Sequence, residues 1–185
     1  NLRIFEKMLA GGKQLDPRQK FYYARELMYN GRYPEAVRQF TAFLDEGQGW
    51  VENNISACKD LAYCQAHLGD AAAALGTLFR SFAYDAPRAE ICCEIGRHFF
   101  DLGQYGTAVF WYETAAGRSP DEKSGGFCLP DCYGYIPYMQ MCVCYDRLGD
   151  RARAIAYNEK AGLCKPEDKG VLYNRAYFQN QADGR

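Results

Sequence analysis

Nine cysteines and two histidines are the side chains of this 185-residue chain best suited to hold a metal or attack a substrate. Cys128 and Cys132 fall in one connection, and Cys142 and Cys144 follow in the next helical pattern, so four thiolates come close in sequence. A zinc site needs such a cluster converging on one point. Side chains two residues apart on an α-helix diverge by about 200°, so Cys142 and Cys144 cannot both face one ion. No metal ligands are assigned. Cys58, Cys64, Cys92, Cys93, Cys142 and Cys144 all sit in apolar helical patterns, as expected of a reduced protein that uses cysteine as a small core residue. Of the pair Cys92-Cys93, one is expected in the core and one on an open face.

The other chemical signatures are incomplete. His67 and His98 are too few and too far apart for a His-Glu-x-x-His metal motif. His98 precedes Phe99 and Phe100, and no Ser or Cys nucleophile pattern accompanies it, so it reads as an ordinary packed or surface histidine. Gly11-Gly12-Lys13-Gln14 lacks the earlier glycine and the following Ser or Thr of a phosphate-binding loop. No catalytic and no cofactor-binding residue is assigned. A net charge of −1 leaves no basic surplus for nucleic acid. The most apolar run, Ala71 to Phe79, is nine residues long, against roughly 20 for a membrane-spanning helix.

What remains is the framework. Four glycines anchor a repeat: Gly31 (Tyr-Asn-Gly-Arg-Tyr), Gly69 (His-Leu-Gly-Asp-Ala), Gly103 (Asp-Leu-Gly-Gln-Tyr) and Gly149 (Arg-Leu-Gly-Asp-Arg). The middle pair is 34 residues apart, and the outer intervals are 38 and 46. Five residues after each glycine stands an alanine: Ala36, Ala74, Ala108 and Ala154. Seven before it stands Ala24, Ala62, Gly96 or Cys142. Small residues at these two places let the two helices of a hairpin approach closely. Leu27, Gln65, Phe99 and Tyr145, with Phe40, Leu78, Tyr112 and Asn158, are expected to fill the space between hairpins. Gln65 and Ser81 make the second repeat the least regular. Pro120 and Pro166 are expected to end the second helices of repeats three and four.

This pattern resembles the tetratricopeptide repeat. The resemblance implies an all-α, right-handed superhelical solenoid of about four hairpins. The expected single domain, 1–185, divides into a leading helix at 1–12, repeats at 17–48, 55–87, 89–120 and 135–166, an insertion loop at 121–134 and a capping helix at 167–181. Val171, Leu172, Ala176 and Phe178 are the expected cover for the last repeat. The N-terminus lacks a Met and opens in mid-pattern, so the chain is expected to be a piece of a longer one.

First helices line the concave groove of such a solenoid. The candidate groove residues are Arg18, Phe21 and Arg25 in repeat one, Lys59 and Tyr63 in repeat two, Glu90, Arg97 and Phe100 in repeat three, and Met139 and Asp146 in repeat four. Met28 and Cys93 fall in the same register. Arg25, Lys59 and Arg97, with Tyr63, form either a basic and aromatic stripe that grips an acidic or extended peptide or a set of solvated charges. The polar-to-aromatic insertion between Pro120 and Pro137 is either a binding loop or a spacer that caps repeat three. Partners are expected to be protein or peptide, possible cases being a homodimer mate or the chain's own catalytic domain.

A finer resemblance rests on particular phrases: Phe-Tyr-Tyr-Ala-Arg-Glu-Leu at 21–27, Arg-Ser-Phe-Ala-Tyr-Asp-Ala-Pro-Arg-Ala-Glu at 80–90, Phe-Trp-Tyr-Glu at 110–113, the run from Tyr135 to Asp150, and Tyr-Asn-Glu-Lys-Ala at 157–161. They are similar to the C-terminal repeat region of bacterial family 2 glycosyltransferases. That resemblance implies a non-catalytic, cytoplasmic, bacterial module that positions an acceptor or mediates oligomerisation. It implies a nucleotide-sugar and a divalent metal only for a separate catalytic domain, because the expected Asp-x-Asp element occurs nowhere in this sequence. The alternative is a free-standing adaptor or a peptide-sensing regulator.

Overall fold

A computed structural model describes residues 1–120 and 125–182, with side chains to Asn180. Among the described residues there are ten α-helices and no strand. They are α1 (Leu2–Ala10), α2 (Pro17–Tyr29), α3 (Tyr33–Glu46), α4 (Val51–His67), α5 (Ala71–Arg80), α6 (Ala89–Asp101), α7 (Tyr105–Ala116), α8 (Tyr135–Arg147), α9 (Arg151–Cys164) and α10 (Lys169–Ala182). Short 3-10 turns run from Ser81 to Ala83 and from Pro130 to Tyr133.

The four turn glycines make one local structure four times. Each has a φ between 71° and 85°, a left-handed conformation that costs glycine nothing. The amide of the next residue reaches back to the carbonyl four residues before the glycine: Arg32 to Leu27, Asp70 to Gln65, Gln104 to Phe99 and Asp150 to Tyr145. Each glycine amide bonds one residue further on, as Gly31 does to Met28. These are Schellman closures, which satisfy the last carbonyls of the first helix. Asp70 and Asp150 then cap the second helix by accepting from the Ala73 and Arg153 amides. Asp16 and Gln19 form a reciprocal capping box at the start of α2, with Pro17 at its first position.

The small residues expected at the hairpin crossings are buried throughout. Gly96 shows why. A Cβ built there would lie 2.8 Å from the Tyr112 ring, and Tyr112 is itself fully buried.

The expected single domain divides into two compact units, residues 1–87 with 125–127, and residues 88–120 with 128–182. In the first, α2 and α3 form one hairpin, α4 and α5 the next, and α3 packs on α4. Its core joins Phe21, Leu27, Phe40, Phe43 and Leu44 to Cys58, Leu61 and Cys64. Helix α1 rests on this core through Leu2, Phe5 and Met8. In the second unit, α6 pairs with α7 and α8 with α9, and α7 packs on α8. Cys92, Tyr112, Met141, Cys144, Tyr145 and Phe178 are prominent in its core.

Several expected details differ. Helix α4 begins at Val51 rather than at 55, because Asn54 ties back to the Gly49 carbonyl at 3.2 Å and extends the helix by a turn. Helix α7 ends at Ala116, before Pro120 can act on it. The irregular sites of repeat two are engaged: the Thr77 hydroxyl donates to half-buried Gln65 at 2.8 Å, and buried Ser81 donates to the Leu78 carbonyl at 2.7 Å. Each polar departure finds a partner on α5: Gln65 in Thr77, and Ser81 in the Leu78 carbonyl. Of the expected covering residues of α10, Val171 and Phe178 are buried, while Leu172 and Ala176 face solvent. Asn158 of α9 ties the two helices together by hydrogen bonds. Its amide donates to the Val171 carbonyl at 3.1 Å and accepts from Asn174 at 3.0 Å.

Candidate functional site

In the first unit the expected groove residues lie on α2 and α4. Arg18 is exposed, with its guanidinium 5.7 Å from the Tyr22 ring centroid. Phe21 does not face a groove: it is fully buried against Phe40 and Phe43. Met28 is buried too. The repeat register places both in the groove, but Phe40 and Phe43 of α3 draw Phe21 into the core, and Met28 joins the same cluster.

Arg25 is the centre of the unit. Its Nε lies 3.2 Å from an Asp60 carboxylate oxygen, and both side chains are largely shielded. Burial pushes the Asp60 carboxyl up from its ordinary value, while Lys59 and Arg25 pull it down. Three rings surround the guanidinium, with centroids 5.4 Å away for Phe21, 5.4 Å for Tyr29 and 5.3 Å for Phe127. Each is within cation–π range. Lys59 is half-buried. Tyr63 is exposed and clusters with Tyr33 and His67. Arg25 is therefore not an open cation but a paired and stacked one.

Phe127 belongs to the insertion. Residues 125–127 lie along α4 and α2: a Cβ on Gly125 would be 3.6 Å from Trp50, and one on Gly126 would be 1.9 Å from the buried Glu52 carboxylate. Trp50 and Tyr29, which flank this path, are exposed aromatics that the register did not single out. Residues 121–124 of the expected insertion loop lie outside the described residues.

In the second unit the rest of the insertion lies on α6. Glu90, expected in an open groove, is buried. Its carboxylate accepts the Leu129 amide at 2.7 Å and the Tyr133 hydroxyl at 3.1 Å. The Tyr133 phenol is raised above its ordinary range by burial and then by the Glu90 charge. Cys93 is buried beneath the 3-10 turn, with its thiol 3.7 Å from the Cys132 carbonyl. Both residues of the Cys92-Cys93 pair are thus core residues, because the insertion covers the face that Cys93 would have opened onto.

The remaining candidates of this unit are also engaged. Arg97 is exposed but pairs along its own helix with Glu94 at 2.9 Å and Asp101 at 3.2 Å. Phe100 packs edge-on against Tyr105. Asp146 accepts from the Tyr177 hydroxyl of α10 at 3.3 Å. Met139 is half-buried, and its Cε is 3.0 Å from where a Cβ on Gly170 would stand.

The helix cysteines are held as thiols. Burial pushes the thiols of Cys58, Cys92 and Cys142 to about 11 and those of Cys64 and Cys144 to about 12, away from the thiolate needed for attack. Among the described residues, no three metal-ligating side chains cluster. Nor is any helix there long and apolar enough to cross a membrane.

No family model and no curated protein sequence matches the chain. Solved structures do. MamA from Desulfovibrio magneticus RS-1 superposes with a TM-score of 0.70 at 14% identity, covering 90% of this chain and 85% of that one. A tetratricopeptide repeat protein from Parabacteroides merdae gives 0.73 at 12% identity, over 91% of this chain and 60% of that one. YrrB, described as a TPR protein with an unusual peptide-binding site, gives 0.65 at 16% identity, over 86% and 74%. At such identities the likeness establishes the fold: an all-α solenoid of tetratricopeptide type.

Proposed function

We propose that this chain is a protein- or peptide-binding module without catalytic residues of its own, and that the faces carrying Arg25 and Glu90 are its ligand-facing surfaces. One observation carries the reading. Glu90, a carboxylate shielded from water, accepts the backbone amide of an extended segment together with a tyrosine hydroxyl. Recognition of extended peptides rests on main-chain bonds of this kind, with side-chain sites adding selectivity. The peptide-binding description of YrrB, which shares the fold, supports the same reading.

The test is selection of peptides from a random displayed library against the full chain. Enriched sequences should bind with Kd values on the order of micromolar, typical of small recognition modules, and should weaken about tenfold, or 1.4 kcal/mol, on Glu90→Gln or Arg25→Ala. No enrichment, or enriched peptides indifferent to both substitutions, would refute the proposal.

The finer proposal is that the module accompanies a bacterial family 2 glycosyltransferase in the cytoplasm, positioning an acceptor or joining two copies. Its support is the set of phrases between Phe21 and Ala161, together with the use of cysteine as a small, buried thiol on the helices, which suits a reducing compartment. Sequencing the coding region around this segment decides it. A neighbouring transferase domain with an Asp-x-Asp element supports the proposal, and a gene without one leaves a free-standing adaptor.

A further inference from the structure

Resting on that reading, we infer that the face of α2 and α4 around Arg25 recognises an extended peptide in which glycine is followed directly by an aromatic residue. Gly126-Phe127 of this chain is its resident and displaceable occupant.

The platform is made by residues outside the insertion. Asp60 fixes the Arg25 side chain at 3.2 Å, with the two side chains 19% and 10% exposed. Phe21 and Tyr29, both on α2, hold two sides of the guanidinium. An aromatic ring arriving on a third side meets a cation that is already oriented and partly dehydrated, where cation–π attraction is strongest and little ordering cost remains. In this chain the arriving ring is Phe127.

The preceding position is selective for a different reason. Any side chain at Gly126 would run into Glu52, whose carboxylate lies 1.9 Å from the site of a Cβ. Glu52 is buried and its Cγ also lies 3.1 Å from that position, so more than the carboxylate tip would have to shift. Only glycine lets the backbone pass this close. The two conditions together specify Gly-aromatic, and Trp50 beside Gly125 offers a surface to the residue before them.

The occupant is held lightly. Phe127 remains 71% exposed, so most of its surface contacts water. A tethered segment competes at an effective concentration of about millimolar, so an external peptide binds visibly only where the resident ring is absent or outmatched.

The probe is a fluorescein-labelled peptide copying residues 125–131, with serine in place of cysteine, titrated by anisotropy against the full chain. Phe127→Ala removes an exposed ring and leaves the helices intact. It should bind the peptide at least tenfold more tightly than the unaltered chain. Adding Arg25→Lys, which keeps the charge beside Asp60 but loses the flat stacking surface, should return binding at least tenfold. A peptide with alanine in place of its second glycine should not bind. Equal binding by the unaltered chain and Phe127→Ala, equal binding of the alanine peptide, or no binding to either protein would overturn the inference. If library peptides that depend on Glu90 still bind in that event, the binding-module reading survives it. If no peptide binds anywhere, both fall.

Discussion

Glu90→Gln offers a direct measure of how firmly the insertion is held on α6. The carboxylate accepts two hydrogen bonds, at 2.7 Å from the Leu129 amide and 3.1 Å from the Tyr133 hydroxyl. Hydrogen bonds to a charged acceptor contribute roughly 1.5–3 kcal/mol each, and neutral ones about 0.5–1.5. Glutamine keeps the shape and one acceptor oxygen, and turns an amide NH2 toward the second donor. The expected loss of docking free energy is about 1–2 kcal/mol. Glu90→Ala removes both bonds but also the desolvation cost of a shielded charge, so about 2–3 kcal/mol is expected. Native-state hydrogen exchange at the Leu129 amide reads this locally. At about 1.4 kcal/mol per decade, protection should fall roughly tenfold for glutamine and about a hundredfold for alanine, with amides of α9 unaffected. Tyr133→Phe removes only the longer bond and should cost less than Glu90→Gln. In a double-mutant cycle the two substitutions should couple, because they share one interaction. Unchanged Leu129 protection in Glu90→Gln would refute the claim that this carboxylate anchors the segment.

Three further outcomes are expected. Gly96→Ala gains about 1 kcal/mol of helix propensity but overpacks the Tyr112 ring at 2.8 Å, which costs about 1–3; its urea midpoint should fall, and Tyr112→Leu in the same chain should restore part of it. At pH 8 in the folded state, an aromatic disulfide reagent should modify exposed Cys128 and Cys164 quickly and the seven buried thiols only as the chain unfolds. Acid should loosen α10 early. Bonds from Tyr135 and the Val171 amide hold the Asp168 carboxyl below its ordinary value of 3.8, and the bond from Arg175 holds Glu159 below 4.5. Both folded values are depressed, so the stability they confer is present above the ordinary values and is lost as pH falls through the lower ones. Amide chemical shifts of α10 followed from pH 6 to pH 2 should move before those of α6, and Glu159→Gln should shift that transition toward higher pH.

The features legible in the sequence were those with one physical solution. A left-handed turn closing a helix requires glycine, and a close helix crossing requires a small residue, so Gly31, Gly69, Gly103 and Gly149 and the buried residues around them declared the hairpins. The candidate groove was legible only in outline. Register arithmetic places Phe21, Met28 and Cys93 outward, but what covers a helix face depends on partners distant in sequence. Phe40 and Phe43 claim Phe21, and the turn at Pro130–Tyr133 covers Cys93. Glu90 was singled out as exposed for the same reason. A charged residue reads as solvated until the donors 39 and 43 positions away are seen to meet it. Asn158 stands where the repeat pattern calls for a large apolar residue, and its role emerges only once Val171 and Asn174 are in place.

Asp60 and Glu52 on α4 and Glu90 on α6 are all below 9% exposed. Shielding a carboxylate costs several kcal/mol unless partners compensate it, and well-packed apolar residues at such places are commonly as stable or more so. A repeat selected for stability alone has no use for three of them on its first helices. Each lies beside a group that presents or receives the insertion: Asp60 at Arg25, Glu52 at Gly126, and Glu90 at Leu129 and Tyr133. In each unit the turn glycines and small crossing residues shape the hairpins, and the apolar cores stack them. The buried acids add direction within each unit: Asp60 fixes one cation in the first, and Glu90 accepts one backbone amide in the second.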